Sequence, residues 1–173
     1  MGLIHIYCGN GKGKTTAALG LAVRAAGAGK TVCIVQLLKG TKTSELESLK
    51  LLPNIIIIRL QKDFGFTFIM NEQDKKEITV CHNNLLISAY EHMKNHEFDM
   101  LIIDEFFAAY EKNLIDKELA EKLVFEKEKN CELILTGRNP IEKFLAVADY
   151  VSEINAVKHP YEKGISARKG IEF

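Results

Sequence analysis

Residues 9–16 constrain the fold of this chain more than any other segment. They read Gly-Asn-Gly-Lys-Gly-Lys-Thr-Thr and lie between an apolar run at residues 3–7 and a stretch of good helix formers at residues 16–26. A glycine-rich loop that joins a strand to a helix is the context in which phosphate-binding loops form. The glycines let backbone N–H groups converge on an anion, and the helix directs the positive end of its dipole at the same point. We therefore predict a phosphate-binding loop here.

Two side chains of this loop carry specific chemistry. Lys14 supplies a mobile positive charge to phosphate oxygens, and Thr15 supplies a hydroxyl to a Mg²⁺ ion. The usual spacing G-x-x-x-x-G-K-[ST] would place a glycine at position 8, where this chain has a cysteine. The loop is therefore a variant, with an additional glycine pair, Gly9 and Gly11, and an additional cation, Lys12.

The composition limits the class of protein. A chain of 173 residues is long enough for one domain with a single buried core. Its 23 Lys and Arg balance its 23 Asp and Glu, so no overall field draws it to nucleic acid or to an anionic membrane. No apolar stretch reaches membrane-spanning length, and no signal-peptide core precedes the first strand. Four cysteines are scattered without a C-x-x-C pair, which favours a reduced, cytoplasmic protein.

Strand-like and helix-like segments alternate along the chain. Strands are predicted at residues 3–7, 31–38, 55–60, 98–104, 131–136 and 150–156, and helices at 16–26, 44–52, 72–96, 116–129 and 141–148. This alternation predicts an α/β fold with a mostly parallel sheet sandwiched by helices. Ligands of such sheets bind beyond the carboxyl ends of the strands. We therefore expect the glycine loop, Gln36, Lys39, the loop at 61–71 and the Asp104–Glu105 pair to gather at one edge.

An apolar strand ends in two carboxylates. Residues 99–105 read Asp-Met-Leu-Ile-Ile-Asp-Glu, as in the Walker B element of nucleotide-binding proteins. A carboxylate at this place can hold Mg²⁺ directly or through water while Thr15 holds it from the other side. The pattern leaves open whether Asp104 or Glu105 contacts the ion. Together the two motifs predict a nucleotide-binding protein and would suit a kinase, an ATPase motor or a nucleotidyl-type transferase.

Several further segments resemble one family in their order and spacing, from about residue 3 to the C-terminus. The chain resembles the ATP:corrinoid adenosyltransferases of the CobA/CobO/BtuR type at residues 9–18, 35–40, 65–68, 103–105, 135–138, 148–153, 157–159 and 170–173. The resemblance implies a RecA-like P-loop NTPase fold, with residues 1–173 as a single nucleotide-binding domain. It also implies a cytosolic homodimer that uses ATP and Mg²⁺ (or Mn²⁺). A flavoprotein is one candidate electron donor.

The reaction implied by the resemblance is transfer of the 5′-deoxyadenosyl group of ATP to the Co(I) centre of a reduced corrinoid. Co(I) attacks the ribose C5′, so the triphosphate leaves as one unit and the loop cations absorb the charge that grows on it. Arg24 would lie near the nucleotide, and Glu105 would join Thr15 on the metal, with Asp104 beside it. The phosphate-binding residues would be Gly9, Asn10, Gly11, Lys12, Gly13, Lys14, Thr15 and Thr16, of which Lys14 and Thr15 would also act in catalysis.

The loop at residues 61–71, which we call the aromatic loop, has a functional and a structural interpretation. In the family, two aromatic residues are thought to press on the lower face of the corrinoid and displace its lower axial ligand, which favours reduction to Co(I). They match Phe66 and Phe68, although many relatives have Trp at the second position. The alternative is that Phe64, Phe66 and Phe68 pack onto the core, which is the usual fate of Phe. Some relatives also carry a segment before the first strand that covers the corrinoid. Because this chain begins at the strand, we expect a more open corrinoid site or a lid from another segment.

Two other functions stay open. A small P-loop kinase would need an acceptor-binding segment and an arginine-rich lid. A partner-dependent ATPase switch would be favoured by an exposed apolar face on the helix at 116–129. Arg138 either faces the site or caps the structure. None of the five histidines shows metal-ligand spacing, so we expect His92 and His96, one helical turn apart, to lie at a solvated helix end.

Overall fold

The computed structural model of the protein describes residues 1–65 and 67–172. Its centre is a parallel sheet with the strand order β3-β2-β4-β5-β1-β6. The strands are β1 (Ile4–Cys8), β2 (Val32–Gln36), β3 (Ile55–Arg59), β4 (Met100–Asp104), β5 (Glu132–Thr136) and β6 (Tyr150–Glu153). The predicted α/β fold with a parallel sheet is confirmed.

Helices cover both faces of the sheet. They are α1 (Lys14–Gly27), α2 (Glu45–Leu49), α3 (Glu72–Lys94), α4 (Phe106–Glu111), α5 (Lys117–Phe125) and α6 (Glu142–Leu145), and a short 3₁₀ helix follows at Pro160–Lys163. In the described ranges no helix has both the length and the apolar composition that crossing a membrane requires.

Several observed elements differ from the predicted ones, and three of these differences have a clear local cause. Helix α4 was not predicted, because its apolar residues follow β4 with only Glu105 between the two elements. Strand β2 ends at Gln36 rather than at residue 38, because Leu38 has φ 60°, which no strand accommodates. Helix α5 ends at Phe125 rather than at residue 129, since the residues that follow it offer no further apolar face.

The neighbouring strands β2 and β4 both lie inside the sheet, and their position explains their continuous apolar sequences. Alternate residues of β2 and β4 face opposite layers of the core: Ile34 and Ile102 pack with α1, whereas Val35 and Ile103 pack on the other side. Because both faces are covered, a parallel strand of this kind reads as an unbroken apolar run rather than an alternating one. In register, Gln36 of β2 lies opposite Asp104 of β4. The polar ends of both strands therefore meet at one edge of the sheet.

An aromatic cluster fixes α4 on the sheet and with it the end of β4. The Phe144 side chain is completely buried, and its ring centroid lies 5.2 to 5.8 Å from four other aromatic rings. Those rings belong to Phe106, Phe107, Tyr110 and Phe125. Since Phe106 directly follows Glu105, the cluster anchors the backbone that carries the acidic pair.

We expect Phe144→Ala to lower the free energy of unfolding by about 3–5 kcal/mol, because it removes a buried ring and leaves a cavity. Urea denaturation followed by circular dichroism measures the change. Tyr161→Ala is the matched control, since its ring is 79% exposed and the free energy should change little. Equal effects of the two substitutions would contradict the central position of Phe144 in the cluster.

Candidate functional site

A cavity of about 820 Å³ opens at the carboxyl edge of the sheet, a volume within the range of small-molecule sites. Residues 10–16, which include most of the glycine loop, line it together with residues of α1 and α2. Glu105, Arg138 and His159 face it from other segments, and residues 170–172 close it from the C-terminal tail. The structure thus brings together the glycine loop and the second carboxylate of the acidic pair, as predicted for this edge.

Two glycines of the loop are required by a close approach of the backbone. A Cβ atom at Gly9 would lie 2.4 Å from the carbonyl oxygen of Ile154, and one at Gly11 would lie 2.7 Å from the same atom. The Gly11 N–H donates to that oxygen at 2.7 Å, and the Gly9 N–H donates to the Arg138 carbonyl at 3.1 Å. These two amides are therefore held by protein carbonyls. The segment after β6 braces the loop from behind.

The remaining part of the loop begins α1. Gly13 has φ 118°, a conformation that favours glycine, and Lys14 is the first helical residue. The Lys14 ammonium donates to the Gly11 carbonyl at 2.8 Å. Burial lowers the pKa of Lys14, although the nearby Glu105 opposes this effect. Asn10 accepts a hydrogen bond from the Ala156 N–H at 3.0 Å, which adds a second brace from the segment after β6.

Asp104 is the centre of a buried hydrogen-bond network. Its side chain has no exposed area. Its Oδ1 atom accepts from the hydroxyl of Thr15 at 2.9 Å and from the hydroxyl of Thr136 at 2.7 Å. Its Oδ2 atom accepts from the Lys39 ammonium at 2.5 Å, and the same ammonium lies 3.3 Å from the Thr15 hydroxyl. The buried carboxylate is thus paired with a cation and hydrogen-bonded at both oxygens, as such a group requires.

Glu105 is held in a different way. It has φ 61°, which is uncommon for a residue with a side chain, and its N–H donates to the Thr136 hydroxyl at 2.9 Å. Its carboxyl group lines the cavity. Burial, and secondly the charge of Asp104, raise the pKa of Glu105, while Lys39, Lys14 and Arg138 oppose the shift. The two carboxylates therefore differ: Asp104 is bonded within the protein, and Glu105 faces the cavity.

The oxygen donors at this place fit a magnesium ion. Mg²⁺ is usually held by one or two carboxylates together with phosphate oxygens and water. Thr15 and Glu105 would supply a hydroxyl and a carboxylate beside the phosphate loop. Among the described residues there is no cluster of three or more carboxylate, His or Cys side chains that could hold a metal by themselves. A magnesium ion at this place would therefore take its other ligands from phosphate oxygens or water.

The C-terminal tail contributes a contact that the sequence did not predict. The Glu172 carboxylate accepts from the Lys12 ammonium at 3.0 Å, and Arg168 donates to the same carboxylate through its backbone N–H at 2.7 Å. The hydrogen bonds from Arg168, and secondly that from Lys12, lower the pKa of Glu172 to about 2. Lys12 of the glycine loop is therefore already paired with a carboxylate of the protein.

Five predicted site residues lie outside the cavity lining or the described ranges, and the contacts of two of them, Gly9 and Asp104, are given above. Arg24 is exposed in the last turn of α1 and does not line the cavity. Phe68 does not line it either; its side chain is 81% exposed in the loop that follows β3. Phe66 lies outside the described residues. Conversely, Lys39 and Thr136 complete the site although neither was predicted to bind; their only signal was a position at or just after the end of a strand.

Comparison with known proteins identifies relatives over the whole length. Residues 1–173 match the family described as ATP:corrinoid adenosyltransferase BtuR/CobO/CobP. The corrinoid adenosyltransferase of Escherichia coli strain K12 is 33% identical over 172 residues, which cover 99% of this chain and 86% of that protein. Corrinoid adenosyltransferase CobA of Salmonella typhimurium is 32% identical over 176 residues, with the same two coverages.

Solved structures support the fold. A KaiC-like protein from Pyrococcus horikoshii superposes with a TM-score of 0.55 at 17% identity, covering 88% of this chain and 71% of its own. The cytoplasmic domain of EssC gives the same TM-score at 16% identity, covering 97% of this chain and 34% of its own. At such low identity these neighbours indicate the fold alone, which is an α/β, RecA-like P-loop arrangement.

We expect Glu105→Gln to raise the free energy of unfolding of the ligand-free protein at neutral pH. Because the folded-state pKa of Glu105 is raised above its ordinary value of 4.5, ionisation costs stability as the pH rises through that pKa. The difference between variant and parent should therefore vanish below pH 4.5, where the carboxyl is protonated in both states. Urea titrations across the pH range measure it.

The neighbouring carboxylate provides the matched control. Asp104→Asn should lower the free energy of unfolding by about 3–5 kcal/mol at neutral pH, because it breaks a buried ion pair. Destabilisation by both substitutions at neutral pH would contradict the different environments of the two carboxyl groups.

Proposed function

The chain belongs to the ATP:corrinoid adenosyltransferase family, and on that premise we propose that it transfers the 5′-deoxyadenosyl group of ATP to the cobalt of a reduced corrinoid and releases tripolyphosphate. Its family and its named relatives are transferases, so the protein is an enzyme. The observation that carries the proposal is the cavity in which the glycine loop, Thr15 and Glu105 meet.

The reaction balances without attack on phosphorus. The electron pair of Co(I) forms a bond to C5′ of the ribose, and the bond between C5′ and its oxygen breaks. The electrons of that bond leave on the triphosphate, whose negative charge grows in the transition state. Donors and cations aimed at this oxygen lower the barrier because they interact more strongly with the transition state than with bound ATP. We assign this role to Lys14, which is half-buried at the start of α1 and lines the cavity.

The phosphates would be held by the loop that lines the cavity. We assign this role to Gly9, Asn10, Gly11, Lys12, Gly13, Lys14, Thr15 and Thr16. Gly9 and Gly11 act mainly through the close approach of Ile154, since their N–H groups are bonded to protein carbonyls. Arg138 lines the cavity and is a further candidate cation for the triphosphate. Proximity of Arg24 to the nucleotide stays a prediction.

Magnesium would be bound by Thr15 and Glu105, and the ion would neutralise part of the triphosphate charge. Asp104 is not needed as a direct ligand. It accepts the hydrogen of the Thr15 hydroxyl, which leaves a lone pair of that oxygen for the ion. Because Lys39 balances the charge of Asp104, Glu105 is the carboxylate of the acidic pair that is left for the ion.

The corrinoid would contact the exposed part of the aromatic loop. Phe68 and Ile69 are 81% and 67% exposed, whereas Phe64 is half-buried with the Lys62 ammonium 4.7 Å from its ring centroid. Neighbouring apolar side chains that are this exposed are available to contact a ligand, whereas a loop packed onto the core would bury them. This exposure favours the corrinoid role for Phe68, and by the family resemblance Phe66 would share it.

Further expectations concern the cell and the partners. ATP and a strong reductant occur together in the cytoplasm, so we place the enzyme there, and a flavoprotein is the expected electron donor. A homodimer follows from the resemblance to the family, as does a single functional domain at residues 1–173. A kinase and a partner-dependent switch are less well supported. The switch would need an exposed apolar face on α5, but Ala120, Leu123 and Val124 are buried.

Lys14→Ala should lower kcat/KM for ATP about 100- to 1,000-fold, the typical effect of removing one donor to a developing anion. Phosphorus NMR of a reaction with ATP and chemically reduced cobalamin measures both rate and product, and tripolyphosphate is the expected product. Lys75→Ala, in an exposed ion pair on α3, is the control and should retain full activity. Formation of ADP and phosphate would reject the proposed reaction.

Phe68→Ala should leave ATP affinity unchanged and weaken formation of four-coordinate Co(II) cobalamin, because the ring that displaces the lower ligand is lost. Electron paramagnetic resonance of the Co(II) complex with ATP distinguishes four- from five-coordinate cobalt. Leu51→Ala serves as the control, since that side chain is also 81% exposed and lies on another loop. An unchanged spectrum in the Phe68 variant would exclude the displacement role.

A further inference from the structure

His82 is a completely buried histidine on α3 whose two ring nitrogens are both hydrogen-bonded. Its Nδ1 atom lies 2.8 Å from the carbonyl oxygen of Leu114, and its Nε2 atom lies 3.0 Å from the backbone nitrogen of Leu38. A carbonyl can only accept and an N–H can only donate, so the ring must be neutral with its proton on Nδ1. Burial lowers the pKa of His82, which keeps the ring in this neutral form.

The bond from Leu38 falls at a strained turn. Leu38 has φ 60°, a left-handed conformation that is uncommon for a bulky side chain and persists only when the surroundings hold it. The turn comes two residues after the end of β2 and immediately before Lys39. It bends the chain so that the Lys39 ammonium reaches Asp104 at 2.5 Å and the Thr15 hydroxyl at 3.3 Å.

The chain beyond Lys39 is fixed from the opposite side. The Arg59 guanidinium donates to the carbonyl of Lys39 at 3.0 Å and also to that of Thr41. Gly40 packs so closely on the start of the aromatic loop that a Cβ atom there would lie 2.4 Å from the Cα atom of Asp63. These contacts hold carbonyls and the Gly40 backbone, whereas the Leu38 N–H is held by His82.

We propose that His82 is a positioning residue for the nucleotide site: by accepting from the Leu38 N–H, it stabilises the left-handed turn that delivers Lys39 to Asp104 and Thr15. Without this acceptor the turn would lose a buried hydrogen bond at its strained residue, and Lys39 would no longer be directed at the carboxylate. Thr15 would then lose its fixed hydroxyl orientation. The consequence for binding of Mg²⁺ and ATP is the only part of this proposal that rests on the proposed function.

Three substitutions separate positioning from general support of the core. His82→Leu introduces an apolar side chain of comparable bulk and removes both ring nitrogens. His82→Gln retains one acceptor and one donor and should rescue part of the loss. Lys39→Met removes the ammonium itself. Met93→Ala, a buried residue 11 positions further along the same helix, is the matched control for lost stability without loss of the hydrogen bond to the Leu38 N–H.

The decisive measurement is a double-mutant cycle on the dissociation constant of Mg²⁺–ATP, obtained by titration calorimetry. We expect His82→Leu and Lys39→Met each to raise this constant about tenfold, the equivalent of one hydrogen bond to a charged group, and the double variant to be no weaker than Lys39→Met alone. Met93→Ala should leave it unchanged. Additive effects, or equal weakening by the Met93 substitution, would overturn the proposal and leave His82 a core residue only.

Two readouts do not depend on nucleotide binding. Nitrogen-15 NMR of the parent protein should show the Nδ1-protonated neutral tautomer of His82, and a proton on Nε2 would overturn the proposal even if the leucine variant fails to fold. The same double-mutant cycle on the urea midpoint of the ligand-free protein should also be non-additive. If Mg²⁺–ATP binds as expected but no adenosylated corrinoid forms, the proposed function fails while the role of His82 stands.

Discussion

The buried carboxylate of Asp104 is the interaction on which the site depends. Its two oxygens join β4 to the first turn of α1 through Thr15, to β5 through Thr136 and to the segment after β2 through Lys39. A charge with no exposure is tolerable only when it is paired and hydrogen-bonded. The same contacts that make it tolerable therefore bring four segments into one arrangement. The phosphate loop keeps its position because its first helical turn is bonded to the centre of the sheet.

Local patterns were sufficient to predict the fold class and the edge of the sheet at which the glycine loop and the acidic pair lie. The glycine loop and the Asp104–Glu105 pair are contiguous in sequence and flanked by strongly periodic segments, so their structure follows from neighbours a few residues away. The edge at which they meet follows from parallel strand direction alone. Helix α4 was missed because its apolar residues continue the pattern of β4, and only the left-handed backbone at Glu105 separates the two elements.

The remaining site residues depend on contacts that no local pattern reveals. Lys39 could be placed at the correct edge, but its pairing with Asp104 requires a left-handed turn at Leu38, and a leucine gives no signal for such a turn. In the sequence, His82 is an ordinary residue of a predicted helix. Its contact is visible only in the structure, where the N–H of Leu38, 44 positions away, donates to its ring. Glu172 lies 160 positions from Lys12, and the hydrogen bond between them could likewise not be predicted from the sequence.

The tail contact between Glu172 and Lys12 gives the phosphate loop an internal competitor. A carboxylate on the same chain acts at a high effective concentration, so an incoming polyphosphate must displace it to gain the Lys12 charge. Such exchange favours ligands with several negative charges over those with one. On the proposed function, the carboxylate would return to Lys12 as tripolyphosphate departs, so that this ammonium is not left unpaired. The C-terminal tail would then favour binding of ligands with several phosphates and also ease their release.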